Sequence, residues 1–177
     1  YRGNVQILID GGPDSSVLSC LSKHMPFWDR EIEVVTMTHP QDDHYGGLVD
    51  VVRRYKVGLF LAPPVDNNTQ GFKTLKREVE DRRIRVMNPK TGDVLRNGLI
   101  RIETVWPRPP SQGEGVAGGP SRNVLGAFTT TKDLNEFSVV QRVSYGDFDV
   151  LLTGDIEPPV TETIADLLDE GYGGGEG

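Results

Sequence analysis

Histidine and aspartate side chains are concentrated in one short segment, Thr38–Leu48, which reads THPQDDHYGGL. Two imidazoles and two carboxylates fall within six residues of it, because His39 and His44 enclose Asp42 and Asp43. Imidazole nitrogens and carboxylate oxygens are the ligands that proteins offer to divalent transition metals. Such a density is unusual for a solvated loop. We therefore predict that His39, Asp43 and His44 bind metal.

Two further aspartates follow apolar runs that are typical of buried strands. Asp10 comes directly after Val5–Ile9, and Asp155 ends the run that begins at Val150. An ionised carboxylate next to a buried strand is costly unless a charge or hydrogen bonds compensate it. A metal ion would do so, and we predict Asp155 as a further ligand. From the residues alone, Asp10 also suits a turn and Asp155 the start of a helix.

The expected chemistry is hydrolysis. A divalent metal lowers the pKa of a water ligand to about 7, which provides a nucleophile at neutral pH. Asp155 would suit a bridge between two ions about 3.5–4 Å apart. Asp43 or Asp42 would accept a proton from the attacking water. We expect one or two divalent ions, zinc or manganese. The third histidine, His24, is expected to complete the last turn of a helix instead.

The strands and helices that must position these residues follow a different pattern in each half of the chain. We predict strands at 5–9, 33–37, 57–61, 84–87, 93–95, 99–105, 137–144 and 148–152, and helices at 14–23, 48–55, 67–83 and 159–168. The first half alternates strands with helices, whereas the second half contains hairpin signals such as Asn97-Gly98. This pattern predicts a layered α/β fold with mixed sheets.

We expect a single domain over residues 1–177, as the length suggests. The stretch 108–134 is rich in Pro, Gly, Ser and Thr and has no clear periodicity, so we predict an exposed loop there. The glycine-rich end, 171–177, is predicted to be a flexible tail.

Composition narrows the possible partners. The net charge is −7, with 26 acidic against 19 basic residues, which argues against passive, charge-driven nucleic-acid binding. An enzyme that cuts nucleic acid is still allowed, because a metal can supply local positive charge. Cys20 is the single cysteine, so an internal disulfide is impossible; we expect it buried on a helix face. No apolar run approaches the roughly 20 residues that a bilayer requires.

The segment around His39 resembles the His-x-His-x-Asp-His signature of the metallo-β-lactamase fold, whose first, fifth and sixth positions match His39, Asp43 and His44. In this resemblance, Asp155 matches a later strand-end ligand. Asp10 matches an early aspartate that supports the site without binding metal directly. The resemblance implies an αββα sandwich of mixed sheets, a site for one or two divalent metal ions, and hydrolase activity.

The chain departs from that pattern at several positions. Gln41 occupies the third position of the signature, and an amide is a weaker zinc ligand than imidazole, so we expect it to support the site. No histidine lies between residues 45 and 155 or after 155. The resemblance implies a last strand with a further histidine after the final helix, so we expect the domain to be truncated at its C-terminus or its site to be reduced. A site rich in oxygen ligands suits Mn²⁺ or Mg²⁺ as well as Zn²⁺.

Three motifs are similar to the soluble domain of ComEC-type competence proteins, which are membrane channels that carry imported DNA. They are HPxxDHxGGL from residue 39, SYGDF at 144–148 and LLTGDIE at 151–157. This closer resemblance implies a nuclease that acts on DNA and an extracytoplasmic domain of a membrane protein; without it, we expect a cytoplasmic protein. Arg108, Arg122 and Lys132 of the predicted loop would then contact a phosphate backbone.

Two alternatives remain open from the sequence. One is a metal-poor domain that binds a partner or DNA without catalysis. The other is hydrolysis of a small ester or thioester, because the same fold supports different chemistries. The sequence gives no indication of oligomeric state.

Overall fold

Fourteen short elements build two sheets and their flanking helices over residues 5–108 and 123–172, which the computed structural model describes. The strands are β1 Ile7–Ile9, β2 Glu31–Thr36, β3 Lys56–Leu61, β4 Val86–Met87, β5 Val94–Asn97, β6 Ile100–Trp106, β7 Val140–Tyr145 and β8 Phe148–Leu152. The helices are α1 Ser16–His24, α2 Asp42–Tyr45, α3 Leu48–Arg54, α4 Gln70–Asp81 and α5 Val160–Tyr172, with a 3₁₀ helix at Leu134–Phe137.

The first sheet is parallel, in the order β1-β2-β3-β4. Parallel neighbours need a crossover connection, and α1, α3 and α4 lie in the connections of this sheet. Their apolar residues form one core with the strands, which includes Leu48, Val51, Phe72, Leu75, Ile32, Val35 and Phe60. The parallel arrangement brings the carboxyl ends of β1 and β2 to one edge of the sheet.

The second sheet is antiparallel, in the order β5-β6-β7-β8, and hairpins connect the neighbouring strands 5–6 and 7–8. Side chains alternate between its two faces. On the outer face, Val105 and Val140 pack in one buried cluster with Val160 and Ile164 of α5. The helix therefore covers this sheet from outside.

The inner faces of the two sheets meet. Thr36 Oγ1 on β2 donates a buried hydrogen bond of 3.0 Å to Gln141 Oε1 on β7. The layer order is thus helices, parallel sheet, antiparallel sheet, helix. This arrangement confirms the predicted α/β fold with two sheets.

Some local predictions differ from the structure. The His/Asp segment contains the one-turn helix α2, and the 3₁₀ helix takes residues 134–137 before β7 begins at Val140. Cys20 is exposed, so its predicted burial is wrong. Helix α1 contacts the hydrophobic core only through a narrow stripe of partly buried side chains, which are Val17, Leu18 and Leu21. The Cys20 thiol lies outside this stripe.

The predicted loop 108–134 is anchored where it can be described. Residues 109–122 lie outside the described part of the chain, but Leu125 is buried and Lys76 Nζ donates to the Gly126 carbonyl at 3.1 Å. At the other end, α5 continues to Tyr172, and the remainder of the predicted tail lies outside the described residues. No helix among the described ranges is both long and apolar enough to cross a membrane.

Candidate metal centre

The Gly-Gly pair brings the His/Asp segment against the turn that follows β1. A Cβ added to Gly47 would lie 2.2 Å from the Gly11 carbonyl oxygen, and one added to Gly46 would lie 2.1 Å from that of Pro13. Larger residues cannot approach this closely. The two backbones are also hydrogen-bonded, since Gly11 N donates to the His44 carbonyl at 2.7 Å. The ends of β1 and β2 are therefore held together at the site.

Asp10 connects the two strand ends through its carboxylate. Its φ of +57° is in the left-handed region, which aspartate tolerates better than most residues. It accepts hydrogen bonds from Thr38 N at 2.8 Å, from Thr38 Oγ1 at 2.7 Å and from His44 Nδ1 at 2.8 Å. Asp10 thus fixes both the backbone before His39 and the ring of His44, in line with the supporting role expected for it.

These bonds also determine which nitrogen each histidine leaves unoccupied. The Thr38 hydroxyl has one proton, which it donates to Asp10, so the 3.0 Å contact with His39 Nδ1 requires the ring to donate. His44 Nδ1 likewise donates to Asp10. Both rings, whose centroids are 4.0 Å apart, are therefore left with Nε2 as the free lone pair.

Asp155 comes from the second sheet and completes the cluster. The preceding Gly154 has a φ of +57° and lies close to Thr38 and Ser138. A Cβ added to Gly154 would lie 3.1 Å from the Cβ of Thr38 and 3.2 Å from the Cβ of Ser138. Asp155 Oδ2 lies 3.3 Å from His44 Nε2. His39, His44 and Asp155 each offer a ligand atom, and these atoms all lie within 4.8 Å of one another.

The arrangement fits a divalent cation. His39 is fully buried, and its Nε2 has no hydrogen-bond partner among the described residues. Leaving a buried polar atom without a partner costs about 1–3 kcal/mol, and a metal ion would satisfy it. Two imidazoles and one carboxylate are a ligand set typical of catalytic zinc and iron sites, in which further positions stay open for water or substrate.

The two histidines have opposite electrostatic environments. Burial lowers the pKa of His39, the nearby His44 lowers it further, and Asp10 and Asp155 oppose this in part. Burial would lower the pKa of His44 as well, but its hydrogen bond to Asp10 and the charges of Asp10, Asp155 and Asp43 raise it overall. His39 is therefore held neutral, as a metal ligand must be.

The other predicted site residues lie around this cluster. Asp43 Oδ2 is 3.9 Å from His44 Nε2, but its side chain is 66% exposed and it is not one of the three mutually close ligands. Its ligation therefore stays a prediction. Asp42 Oδ1 instead accepts a hydrogen bond from the buried Tyr45 hydroxyl. Gln41 directs its amide nitrogen away to a residue of the 3₁₀ helix.

Three residues that shape the centre were not identified from the sequence. Thr38 orients His39, and its position directly before that histidine was the one available signal. Asn135 accepts from the Gln41 amide at 3.0 Å across 94 residues of chain. Ser138, fully buried beside Gly154, has an Oγ without a hydrogen-bond partner in the described structure. Both lie in a segment, 135–140, that resembles ComEC-type domains, but nothing in the sequence indicated that either residue contacts the centre.

Fold and site together define a class: two facing sheets with flanking helices, and a histidine–aspartate cluster at the strand ends. A sequence profile described as "Metallo-beta-lactamase superfamily" matches residues 2–176. The chain belongs to the metallo-beta-lactamase superfamily. Proteins of this superfamily bind divalent metals and are generally hydrolytic.

Among solved structures, the chain is similar to CmlA, a diiron beta-hydroxylase from Streptomyces venezuelae. The sequence identity is 18% and the TM-score is 0.44, and the match covers 82% of this chain and 24% of that one. This chain thus spans about a quarter of its neighbour's length. At this level of similarity the match carries no argument about metal or reaction.

Proposed function

We propose that this protein is a metal-dependent hydrolase that cleaves phosphodiester bonds with activated water. The observation that carries the proposal is the convergence of His39, His44 and Asp155, whose ligand atoms lie within 4.8 Å of one another beside an unsatisfied buried nitrogen. These three residues would hold the ion. Bound there, a divalent cation would supply a Lewis acid that polarises the substrate and acidifies a water molecule.

The chain's own groups divide the remaining tasks. Thr38 and Asp10 hold the two rings through Nδ1, which leaves Nε2 of each ring free for the ion. Asp43 is the better candidate for the general base, because its carboxylate is largely exposed and lies 3.9 Å from His44 Nε2. Asp42 is less suited, because its carboxylate accepts a hydrogen bond from Tyr45.

DNA is the substrate that the sequence motifs favour. The similarity to ComEC-type domains, described above on the motifs at 39–48, 144–148 and 151–157, supports a nuclease exposed outside the cytoplasm. Lys132 is 62% exposed near Glu136 and would meet a phosphate backbone. Arg108 and Arg122 are the other predicted contacts, although Arg122 lies outside the described residues.

The test is cleavage of single- and double-stranded DNA and of bis(p-nitrophenyl) phosphate, with Mn²⁺, Zn²⁺ or excess EDTA. We expect metal-dependent turnover that His39→Ala and Asp155→Asn both remove. His24→Ala is the matched control, since His24 bonds the Cys20 carbonyl in α1 and has no role in the cluster. Absence of turnover on every phosphodiester with either metal would refute the proposal. Turnover of thioesters or lactams alone would point to the small-ester alternative.

One observation favours a second candidate, a binding domain without catalysis. Within the described part of the chain, the metal site has three converging ligand residues. At position 41, where the family signature has a histidine, this chain has an amide whose nitrogen bonds to Asn135. A site with fewer ligands than the family signature would bind substrate without cleaving it. Metal analysis of the purified protein separates the candidates, since the binding domain predicts less than one divalent ion per chain even after incubation with Mn²⁺ or Zn²⁺.

A further inference from the structure

Basic side chains line a groove at the amino end of the parallel sheet. The groove has a volume of about 550 Å³ and lies where α3 and α4 end and where β3 begins. None of its lining residues is acidic, and five are cationic, namely Arg53, Arg54, Lys56, Arg82 and Arg83. The net charge of −7 is an average over the whole chain. It therefore does not describe this surface, where positive charge is concentrated.

Two of the five cations are available to a ligand. The other three have carboxylate partners at 2.9–3.7 Å, in the ion pairs Arg53–Glu78, Arg53–Asp50, Arg82–Glu78 and Lys56–Glu31. Arg54 and Arg83 are exposed, and neither forms an ion pair with any residue that the structure describes. An anion that enters the groove would therefore meet two guanidinium groups without displacing a carboxylate.

Arg83 is placed in the groove at a conformational cost. It follows α4 with a φ of +53°, in the left-handed region. The two hydrogen bonds of a Schellman motif close the helix there, from Ile84 N to the Val79 carbonyl at 3.0 Å and from Arg83 N to the Glu80 carbonyl at 2.9 Å. Glycine is the usual residue at this position, because a side chain disfavours the left-handed conformation. A cation also interacts favourably with the dipole of the helix, but Arg82 already supplies one in the same turn. The strained arginine therefore indicates a role in binding.

An exposed aromatic pair adjoins the groove. Phe27 and Trp28 are 81% and 73% exposed in the turn before β2, and their ring centroids are 4.8 Å apart. Arg30 connects this turn to the groove. Its carbonyl accepts a hydrogen bond from Lys56 N at 2.8 Å, and its guanidinium lies 6.0 Å from the centre of the Tyr55 ring. Exposed rings and unpaired arginines therefore lie at the same end of the sheet.

We propose that this surface is a second binding site for single-stranded DNA, in which phosphates contact Arg54 and Arg83 and a base stacks on Trp28. A cationic groove beside exposed aromatic rings is the combination that binds single strands without sequence preference. The inference rests on the proposed DNA substrate. The groove is separate from the metal centre, because the six residues of β2 lie between them and span roughly 20 Å. It would retain the strand between cleavage events.

The shape of the surface favours a strand over a membrane. Aromatic and basic side chains also occur together where proteins contact anionic lipids. Here the cations line a concave groove, which a narrow strand can enter and a flat bilayer cannot. The affinity for a strand comes from several contacts at once, so a single inorganic phosphate should bind in the groove far more weakly.

The experiment measures binding of a fluorescein-labelled oligothymidine of about 20 nucleotides by fluorescence anisotropy, in EDTA so that no cleavage occurs. Arg83→Gly removes the charge and relieves the left-handed conformation, so it should be at least as stable as the wild type in urea. We expect Arg83→Gly and Arg54→Ala each to weaken binding about 3-fold, and the double variant to weaken it about 10-fold. Each should reduce the slope of log Kd against log salt by about 0.7. Arg77→Ala, exposed on α4 and outside the groove, is the matched control.

Tryptophan fluorescence tests the stacking contact. The oligothymidine should quench Trp28, and Trp28→Ala should remove this quenching, while the second tryptophan, Trp106, still emits. The same variant should weaken binding about 5-fold or more.

The outcomes separate this inference from the proposed function. Oligothymidine affinity within twofold of wild type for the double variant, or an equal loss in Arg77→Ala, would overturn the inference and leave the proposed function intact. Loss of binding to phosphatidylglycerol vesicles, with DNA binding unchanged, would overturn it in favour of a membrane contact. A wild type that binds oligothymidine through the groove but cleaves no phosphodiester with any metal would refute the proposed function alone.

Discussion

Asp10→Asn isolates the contribution of one carboxylate oxygen to the centre. Asparagine has the same shape and also tolerates a positive φ, here +57°. Its remaining oxygen can still accept from Thr38 N, a bond of 2.8 Å in the wild type. The other oxygen becomes an NH₂ group, a donor that faces two donors, Thr38 Oγ1 and His44 Nδ1.

The magnitude follows from these two bonds. Hydrogen bonds to charged groups contribute about 1.5–3 kcal/mol each. The Thr38 hydroxyl can rotate to accept, which recovers part of the loss. His44 can accept only if its proton moves from Nδ1 to Nε2, and this removes the lone pair that the metal requires. We therefore expect a loss of about 1.5–3 kcal/mol in the free energy of unfolding and a loss of roughly 10–100-fold in metal affinity.

Two measurements on the same variant check this prediction. Urea unfolding in EDTA gives the stability of the metal-free protein, and chelator competition at pH 7.5 gives the affinities for Zn²⁺ and Mn²⁺. Asp149→Asn, on the exposed part of β8, is the control for a lost negative charge. The reasoning is refuted if Asp10→Asn binds both metals within twofold of the wild type, because the orientation of His44 would then not depend on Asp10.

Three further substitutions test other parts of the structure. Gly154→Ala should weaken metal binding, which isothermal titration calorimetry measures. Alanine is strained at a φ of +57°, and its Cβ would lie 3.1 Å from the Cβ of Thr38, so the backbone must shift and displace the adjacent Asp155. Glu103→Gln should lower the free energy of unfolding in urea at pH 7 by about 1–3 kcal/mol. Hydrogen bonds from Arg101 of β6 and Arg142 of β7 hold the pKa of Glu103 below its usual value. The stabilisation by Glu103 is therefore fully present above pH of about 4.5 and is lost as pH falls through the pKa of the folded protein. Tyr45→Phe should cost about 1–2 kcal/mol. Burial and the hydrogen bond to Asp42 raise the pKa of the Tyr45 hydroxyl to about 12. Spectrophotometric titration should therefore show a phenol that ionises well above pH 10. The stabilisation that the neutral Tyr45 hydroxyl provides should be lost as pH rises through about 12.

The fold could be predicted because each half of the chain has its own pattern: strands alternate with helices in the first half, and hairpin signals dominate the second. Apolar runs such as Ile32–Met37 alternate with amphipathic helices, and parallel pairing follows from that alternation. Local errors arose where tertiary packing decides. Cys20 follows the helical pattern of its apolar neighbours but lies outside the narrow stripe through which α1 packs. Helix α2 is a single turn, which is too short to produce a periodic signal.

The sequence predicted three of the side chains that meet at the site, and Asp10 as a supporting residue, but not Thr38 or Asn135, which orient their neighbours. His39 and His44 come from one short segment after β2, and the family resemblance matched Asp155 to a later strand-end ligand; the three side chains lie close together, as expected. Hydrogen bonds between distant segments have no sequence pattern. The contact of Gln41 with Asn135 spans 94 residues and depends on how the second sheet docks on the first.

The charge around the centre makes a final prediction about the order of binding. Asp10, Asp43 and Asp155 surround the two histidines in a chain of net charge −7, so a phosphate group approaching the metal-free site meets repulsion. A divalent ion reverses the local sign. We expect inorganic phosphate to bind to the Mn²⁺-loaded protein and not to the protein in EDTA, as measured by calorimetry.

Linkage provides an internal check on this coupling. The factor by which Mn²⁺ raises phosphate affinity must equal the factor by which phosphate raises Mn²⁺ affinity, because both measure one coupling free energy. Asp155→Asn should reduce both factors together, since Asp155 belongs to the ligand set and its loss weakens the ion's hold on the site. Equal phosphate binding with and without Mn²⁺ would contradict the electrostatic argument, and it would place the phosphate at a site that does not involve these carboxylates.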